Sequence, residues 1–270
     1  MSDILFFSGL GAMFVGMIIQ FFSLVWEKEK GKKIAWTVFT LGFVLEGLYI
    51  LLRGIEAHRV PMANQFEFAM MFSFGIGVIL MFMHYVLKVE WITTPGMIMT
   101  WGIYLYAALL PREIHELMPA LRSMWFVSHI GSAAFAYAAF MLAGASGARY
   151  LLLEKKNPKD ERLAEIDYFI YRLISIGLLL LTVTIVIGAI WAEEAWSSFW
   201  SWDPKEVWAL ITWIIYAIFL HLRLSRKKTG TFSAWYALLA VPVVLFTFIG
   251  VNTIIPGLHS YGAVIRGRII

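Results

Sequence analysis

Residues 191–208, WAEEAWSSFWSWDPKEVW, contain five tryptophans. Tryptophan is enriched where a membrane meets water, which accounts for one or two of them but not for all five. A group of exposed indoles forms a large apolar patch, and such a patch usually marks a binding surface. Stacked indoles suit a flat, aromatic and hydrophobic ligand. A porphyrin meets this description well, and a quinone meets it less well.

The spacing of these tryptophans is partly helical. Trp196, Trp200 and Trp208 recur at intervals of four and eight residues, which favours a shared face on short interfacial helices. Trp202 interrupts the pattern. We therefore expect an aromatic shelf at the membrane surface.

The end of the stretch predicts the start of a membrane helix. Asp203 is a natural N-cap, and Pro204 suits the first helical position. Glu206 follows Asp203 by three residues, the spacing of a capping box. These acids are explained as helix caps, and no residue is assigned a catalytic role.

The composition predicts an integral membrane protein. The 270 residues are 60% hydrophobic and 15% charged, whereas soluble domains are about 45–50% apolar and about 25% charged. Most of the apolar surface of the protein must therefore face the lipid bilayer. The formal charge of +4 does not indicate nucleic acid, because the basic residues lie in short loops. There is no cysteine, so redox chemistry must belong to a cofactor or a partner.

The expected fold is an all-α polytopic membrane protein of about eight transmembrane helices, forming a single domain over residues 1–270. The segment 91–110 is the weakest candidate, because Pro95 and Gly96 lie near its start. Each of the others is long enough to cross a hydrocarbon core of roughly 30 Å. The eight apolar segments are 4–26, 34–52, 66–87, 91–110, 124–153, 169–190, 206–224 and 233–253.

Lysine and arginine predict the orientation of the helices. One set of loops, which includes 27–33, 154–162 and 223–228, is clearly richer in these residues and should be cytoplasmic. Both termini and the tryptophan stretch then lie on the external side. The segment 191–208 is accordingly predicted to be an external binding segment within the membrane domain.

Two histidines are expected at the level of the tryptophans. His129 lies about one turn inside the external end of the fifth segment, and His259 lies just beyond the external end of the eighth. Each could be an ordinary interfacial polar residue. As a pair beside an aromatic shelf they could instead ligate one haem iron from opposite sides.

His221 is expected inside the membrane, because it follows Pro204 by 17 residues, or roughly 25 Å of helix. An ionisable residue at that depth is a functional candidate, and an interface histidine near Arg223 is the alternative. His58 and His115 are expected on the solvated surface. His84 is expected at an interface, with a second binding site as the alternative.

The tryptophan stretch and the helix after it resemble the WWD domain of haem-handling membrane proteins. The pattern WDPKE.WAL..W..YA..LH.R is similar to the CcsA (ResC) family of System II cytochrome c biogenesis. The segments PMANQFEFAMMFSFG, SHIGSAAFAYAAF and VNTIIPGLHSYG also resemble that family. Sister families fit less well, since CcmC usually has fewer spans and lacks DPKE, and CcmF is much longer. One departure is Ser197, where the family often has glycine.

The resemblance implies the roles of particular residues. His129 and His259 match the external histidines that hold haem iron. The residues expected to bind the haem beside them, as an aromatic wall and the start of a helix, are Trp196, Trp200, Trp202, Asp203 and Trp208. His221 matches the histidine of a haem site in the membrane, whose second ligand comes from a CcsB (ResB) partner. Haem b is both the bound ligand and the substrate.

The resemblance also implies the function. Haem crosses the membrane and, with the CcsB-type partner, is attached to the CxxCH segment of an apocytochrome c on the external side, as in a holocytochrome c synthase. The alternative is a haem exporter or haem-binding subunit without attachment activity. A quinone-binding subunit or a transporter is a further rival, but no internal repeat is visible. The expected location is the bacterial cytoplasmic membrane, or the thylakoid membrane for a plastid-encoded chain.

Overall fold

The computed structural model describes residues 2–255 and Gly257, and the described chain is almost entirely helical. Eight principal helices coincide with the eight predicted segments, which confirms the all-α polytopic fold class. They are α1 Ser2–Val25, α2 Glu29–Ala57, α3 Gln65–Tyr85, α4 Thr93–Ala108, α5 Met124–Lys156, α6 Arg162–Trp196, α7 Pro204–Arg226 and α8 Thr231–Leu245.

Seven membrane-spanning candidates are present in the described part of the chain. The segment predicted at 91–110 is not among these candidates. Its helix α4 has only 16 residues, fewer than the roughly 20 that cross a bilayer. The last candidate comprises α8, a π-helical turn at Phe246–Gly250 and a short helix α9 at Val251–Ile254. Pro242 lies one turn before the π turn and lacks the N–H of a regular helix.

The helices form two compact units, Met1–His115 and Glu116–Ile270. In the first unit α1 packs along α2 and is tied to α4 by three hydrogen bonds. The Tyr104 hydroxyl donates to the carbonyl of Phe6 at 2.9 Å, the Trp101 indole to that of Leu10 at 3.2 Å, and the Gln20 amide to the Thr94 hydroxyl at 3.0 Å.

In the second unit α5 is the central helix and packs against α6 and α8. Its middle turns are rich in fully buried small residues, which let neighbouring backbones approach closely in a membrane. A side chain at Gly144 would meet Val241, and one at Gly147 would meet the carbonyl of Ala234. The unit therefore depends on close packing around α5.

An ion pair joins α6 and α7 at the end of the second unit where α7 stops. The Arg223 guanidinium of α7 donates to both carboxylate oxygens of Asp167 on α6, at 2.7 and 2.8 Å. Asp167 also accepts the backbone N–H of Gly230 at 2.9 Å, and Arg223 donates to Ser233 of α8 at 2.7 Å. Three helices are thus joined at the end where α7 stops.

The contact between α1 and α2 gives a direct test of the packing. A Cβ at Gly42 would lie 2.7 Å from both the Gly9 carbonyl oxygen and the Met13 backbone nitrogen. We expect Gly42→Val to destabilise the protein by about 1–3 kcal/mol, because neither backbone can move away easily. The midpoint of thermal unfolding in detergent measures the effect.

The matched control is Gly11→Val on the same helix pair, since a Cβ at Gly11 meets nothing within 4 Å. It should change stability by no more than about 0.5 kcal/mol. Equal midpoints for the two variants would contradict the packing of α1 on α2.

Candidate functional site

His129 of α5 points at α6 and is partly buried. Its Nδ1 lies 2.9 Å from the carbonyl oxygen of Thr184. A carbonyl oxygen only accepts hydrogen bonds, so Nδ1 must carry the hydrogen. In the neutral ring Nε2 then holds the lone pair, which is the state that an iron ligand needs.

The Thr184 turn is itself held in place. The Thr184 hydroxyl donates to the carbonyl of Leu180 at 2.8 Å and approaches the Ser132 hydroxyl to 2.9 Å. Ser132 in turn donates to the carbonyl of His129 at 3.0 Å. The imidazole therefore lies within a polar group that spans α5 and α6.

Gly188 makes room for this imidazole. A Cβ at position 188 would lie 2.6 Å from both Cε1 and Nδ1 of His129. Since real Cβ atoms do not approach so closely, any side chain there would displace the ring. The glycine explains how α6 comes close enough for its backbone carbonyl to bind His129.

Trp191 forms an aromatic wall beside His129. The two rings are nearly parallel, 22° apart, with centroids at 5.8 Å. The Trp191 indole is 1% exposed and donates to the carbonyl of Ala120 at 2.9 Å. It also contacts Phe126 at 5.1 Å and Trp196 at 4.9 Å, so the structure brings His129 and Trp196 to one aromatic group.

Helix α6 ends at Trp196, which corrects the expectation of short interfacial helices over the tryptophan stretch. Ser197 has left-handed backbone angles, φ 55° and ψ 40°, and its N–H donates to the carbonyl of Glu193 at 2.9 Å. Trp196 and Trp208 therefore lie on different helices. Trp200 lies outside both, so the spacing of four and eight does not give one shared face.

The connection 197–203 presents aromatic side chains to its surroundings. Trp202 is 70% exposed and has a φ of 59°, which is costly for a bulky residue. Its ring meets that of Trp200 edge to face at 5.8 Å. Phe199 is 60% exposed. Of the five tryptophans only Trp202 is exposed, so the structure has an exposed aromatic loop of Phe199 and Trp202 in place of the predicted shelf of several indoles.

Helix α7 begins with the predicted capping box. The Asp203 carboxylate accepts the N–H of Lys205 at 2.9 Å, and the Glu206 carboxylate accepts the N–H of Asp203 at 3.1 Å. Glu206 also accepts the N–H of Ser201 at 2.8 Å. Asp203 is buried, and Gly257 lies directly against it, so that a Cβ on Gly257 would clash with its carboxylate.

Trp208 lies on the second turn of α7. Its ring contacts Phe246, where the π turn begins, at 4.4 Å.

The Glu194 carboxylate accepts a hydrogen bond from Ser123, the N-cap of α5. This contact ties the end of α6 to the start of α5.

His221 lies near the other end of α7, in the last two turns. Its side chain is exposed, and its Nδ1 lies 3.4 Å from the Ser225 hydroxyl. Ile214 and Ile218 are 44% and 45% exposed on the same face of α7. The described chain therefore leaves the His221 face open to lipid or to a partner.

The other four histidines are His58, His84, His115 and His259. His259 lies outside the described residues. His58 and His115 are exposed, as predicted, with His115 3.6 Å from Glu113. His84 packs against Trp36 with ring centroids 4.1 Å apart and lies 3.3 Å from the Thr93 hydroxyl. Its location at a membrane interface stays a prediction.

Sequence reasoning missed Thr184, Gly188 and Trp191 as neighbours of His129. Trp191 opens the quoted stretch and was the available signal. Gly188 could have been suspected from its place one turn before Trp191. The Thr184 contact uses a backbone carbonyl, which no side-chain pattern reveals.

The class of protein is now defined: an all-helical integral membrane protein with an imidazole, an aromatic wall and an exposed aromatic loop at one end of its second unit. Residues 62–259 match the family described as cytochrome C assembly protein. The chain belongs to that family.

Curated relatives carry a more specific name. The chain is 30% identical over 285 residues to a cytochrome c biogenesis protein CcsA of Guillardia theta, covering 93% of each chain. It is 33% identical to the protein of that name in Solanum tuberosum, covering 82% of each chain. For Synechococcus sp. (strain RCC307) the identity is 31%, over 93% of this chain and 92% of the relative.

A solved structure shares the fold. The cytochrome c heme lyase CcmF superposes with a TM-score of 0.69 at 13% sequence identity. The match covers 92% of this chain and 46% of the other, so this chain spans about half the length of that protein. At this identity the likeness shows the fold alone.

The end of α6 generates a stability prediction. A left-handed residue with a side chain is disfavoured by roughly 1–2 kcal/mol, whereas glycine adopts this conformation freely. We expect Ser197→Gly to stabilise the protein by about 1 kcal/mol, measured as a higher midpoint of thermal unfolding.

Ser198→Gly is the control, because Ser198 is outside the positive-φ residues and its hydroxyl donates to the carbonyl of Trp200 at 3.1 Å. That change should be neutral or destabilising. A lower midpoint for Ser197→Gly than for Ser198→Gly would contradict the described end of α6.

Proposed function

We propose that this chain binds haem b as a substrate at the end of its second unit where α6 ends and α7 begins, and that His129 is an axial ligand of the iron. The observation that carries the proposal is the hydrogen bond from Nδ1 of His129 to the Thr184 carbonyl. It fixes the tautomer whose Nε2 can bind iron, and metal-binding histidines commonly make this kind of contact.

The surroundings fit a porphyrin. Trp191 and Trp196 form an aromatic wall next to the imidazole, and the connection 197–203 adds Trp200 and the exposed Trp202. Flat aromatic surfaces of this kind bind a hydrophobic macrocycle without needing a specific hydrogen bond. Trp208 supports the same end of the unit from α7.

His259 is proposed as the second axial ligand. It lies outside the described residues, so the support is indirect. Gly257, two positions earlier in the chain, lies against Asp203 at the start of α7. Gly257 is therefore in contact with the buried capping box, which follows the tryptophan connection directly in the chain.

His221 is proposed to bind haem within the membrane, with a histidine of a CcsB-type partner as the opposing ligand. The support is the exposure of the face of α7 that carries His221, Ile214 and Ile218. An ionisable side chain facing lipid is costly, which favours its coverage by another membrane protein. The Arg223–Asp167 ion pair fixes the helix end on which His221 lies.

The reaction proposed for the complex is covalent attachment of haem to an apocytochrome c. Each cysteine thiol of CxxCH adds across one haem vinyl group: the sulfur bonds to one carbon, the thiol hydrogen goes to the other, and no net electron is transferred. This chain supplies binding and orientation, which bring the thiols and the vinyl groups together.

The alternative function is haem export or binding without attachment. It is favoured by the fact that Asp203, Glu206 and Glu194 are all engaged at helix ends, so these carboxyl groups are committed to structure. Attachment of haem to an apocytochrome c by purified components separates the two functions. In either case we propose a location in the bacterial cytoplasmic membrane, or in the thylakoid membrane for a plastid-encoded chain.

His129→Ala tests the central ligand. We expect the haem content of the complex purified with its CcsB-type partner to fall at least about tenfold. Even the loss of a residue that only hydrogen-bonds to a metal ligand typically lowers metal affinity by about 10–100-fold. Haem absorption spectra and the yield of mature cytochrome c measure the effect. His115→Ala is the matched control, since His115 is an exposed histidine.

Gly188→Val extends this test without removing the ligand. Its side chain should displace the imidazole and lower haem content about tenfold, whereas Gly102→Val, at a position with nothing within 4 Å, should not. Unchanged haem content and unchanged spectra in both His129→Ala and Gly188→Val would refute the site.

His221→Gly tests the membrane site separately. We expect cytochrome c maturation to be lost and to be partly restored by imidazole added to the medium, because a free imidazole can occupy the space of the missing ring. His58→Gly, a change at another exposed histidine, should mature cytochrome c normally. Full maturation by His221→Gly without imidazole would remove His221 from the haem route.

A further inference from the structure

Glu46 is a carboxyl group buried inside the first unit. It lies near the middle of α2, a membrane-spanning candidate, and its side chain is 0% exposed. Neither carboxylate oxygen makes a hydrogen bond of regular geometry, and within the described chain Glu46 makes no ion pair. This is unusual, because buried carboxylates are almost always paired or hydrogen-bonded.

The polar groups near Glu46 have already used their hydrogens. Ser73 of α3 and Tyr104 of α4 are the groups that interact with it from other helices. The Ser73 hydroxyl donates to the carbonyl of Thr100 at 3.1 Å, and the Tyr104 hydroxyl donates to that of Phe6 at 2.9 Å. Each hydroxyl oxygen donates its hydrogen to a backbone carbonyl and remains able to accept a hydrogen bond.

Within the part of the chain that the structure describes, no basic group forms an ion pair with Glu46. The buried face of α1 presents Phe6, Gly9 and Met13 toward α2, and the titratable groups around Glu46 are the phenols of Tyr49 and Tyr104. Arg53 is two turns further along α2 and is held by Glu67. An ionised Glu46 would thus be a buried charge without a counter-charge.

We propose that Glu46 is a proton-binding site: it holds a proton as a neutral carboxylic acid inside the membrane and exchanges that proton with water at the Arg53 end of α2. The bound proton turns Glu46 from an acceptor into a donor. The Ser73 hydroxyl oxygen, whose hydrogen is bound to Thr100, can accept it.

The direction of exchange follows from the two halves of α2. Toward the Arg53 end, Tyr49 lies three residues beyond Glu46, about 4.5 Å along the helix, and Arg53 lies four residues further. Arg53 donates to Glu67 at 3.0 Å, and Glu67 also accepts from Arg59 at 2.7 Å. Polar side chains therefore continue from Glu46 to the end of the helix.

The opposite half of α2 has no such continuation. Its buried positions before Glu46 are Ala35, Trp36, Phe39 and Gly42. Thr40 is partly buried and its hydroxyl is directed at the Met81 sulfur at 3.9 Å. Along α2 itself, a proton at Glu46 is thus separated from that end by apolar groups, which favours exchange toward the Arg53 end. This inference is independent of haem binding by the second unit.

Infrared difference spectroscopy on the purified protein in lipid vesicles tests the bound proton. The spectrum should contain the carbonyl stretch of a protonated carboxylic acid from mildly acidic to mildly alkaline pH. Glu46→Gln should remove this band. Glu56→Gln, at an exposed position on the same helix, should leave it. Absence of the band, or its survival in Glu46→Gln, would overturn the proposal.

Ser73→Ala provides a second measurement that keeps Glu46 in place. Removing the acceptor should shift the acid band to higher frequency, as expected when a carboxylic acid loses its hydrogen-bond partner. If Glu46→Gln fails to fold, this variant decides the question. An unshifted band in Ser73→Ala would then count against the site.

Transfer into D₂O tests the route. The acid band should shift as the proton is replaced by deuterium, and Tyr49→Phe should slow that shift several-fold. Thr40→Val, on the apolar side of Glu46, should not change the rate. Slower exchange in Thr40→Val with normal exchange in Tyr49→Phe would contradict the proposed direction.

Discussion

The second unit depends on the hydrogen bond between His129 and the backbone of α6. It requires α5 and α6 to approach until an imidazole touches a carbonyl oxygen at 2.9 Å. Only a glycine at position 188 permits this approach. The same proximity brings Trp191 against the imidazole ring, so one helix contact sets the tautomer of the histidine and the aromatic wall beside it.

Much of the fold was predictable because lipid imposes simple rules. Backbone groups in a bilayer must be satisfied within helices, so long apolar segments predict helices reliably. The capping box of Asp203 and Glu206 was predictable from local chemistry. The shortness of α4 was harder to foresee, since hydropathy at Pro95 and Gly96 does not show where helical angles begin. The division of the helices into two compact units also has no marker in composition.

The candidate site was predictable only in part. The proximity of His129 to a tryptophan follows from residue type and from the place of His129 near the start of the fifth segment. The conformation of the tryptophan stretch does not, because Ser197 and Trp202 adopt left-handed angles that favour glycine. A periodicity of four residues therefore predicted helices where the chain turns. A glycine at position 197 would relieve the strain at that turn, because glycine adopts left-handed angles freely.

We propose above all that Nε2 of His129 binds haem iron at the end of the second unit. Electron paramagnetic resonance of the ferric haem in the purified complex tests it most directly. We expect a low-spin signal typical of two imidazole ligands, converted in His129→Ala to the signal of a haem that has lost one of them. An identical low-spin signal in His129→Ala, at full haem content, would show that His129 is not a ligand of the iron.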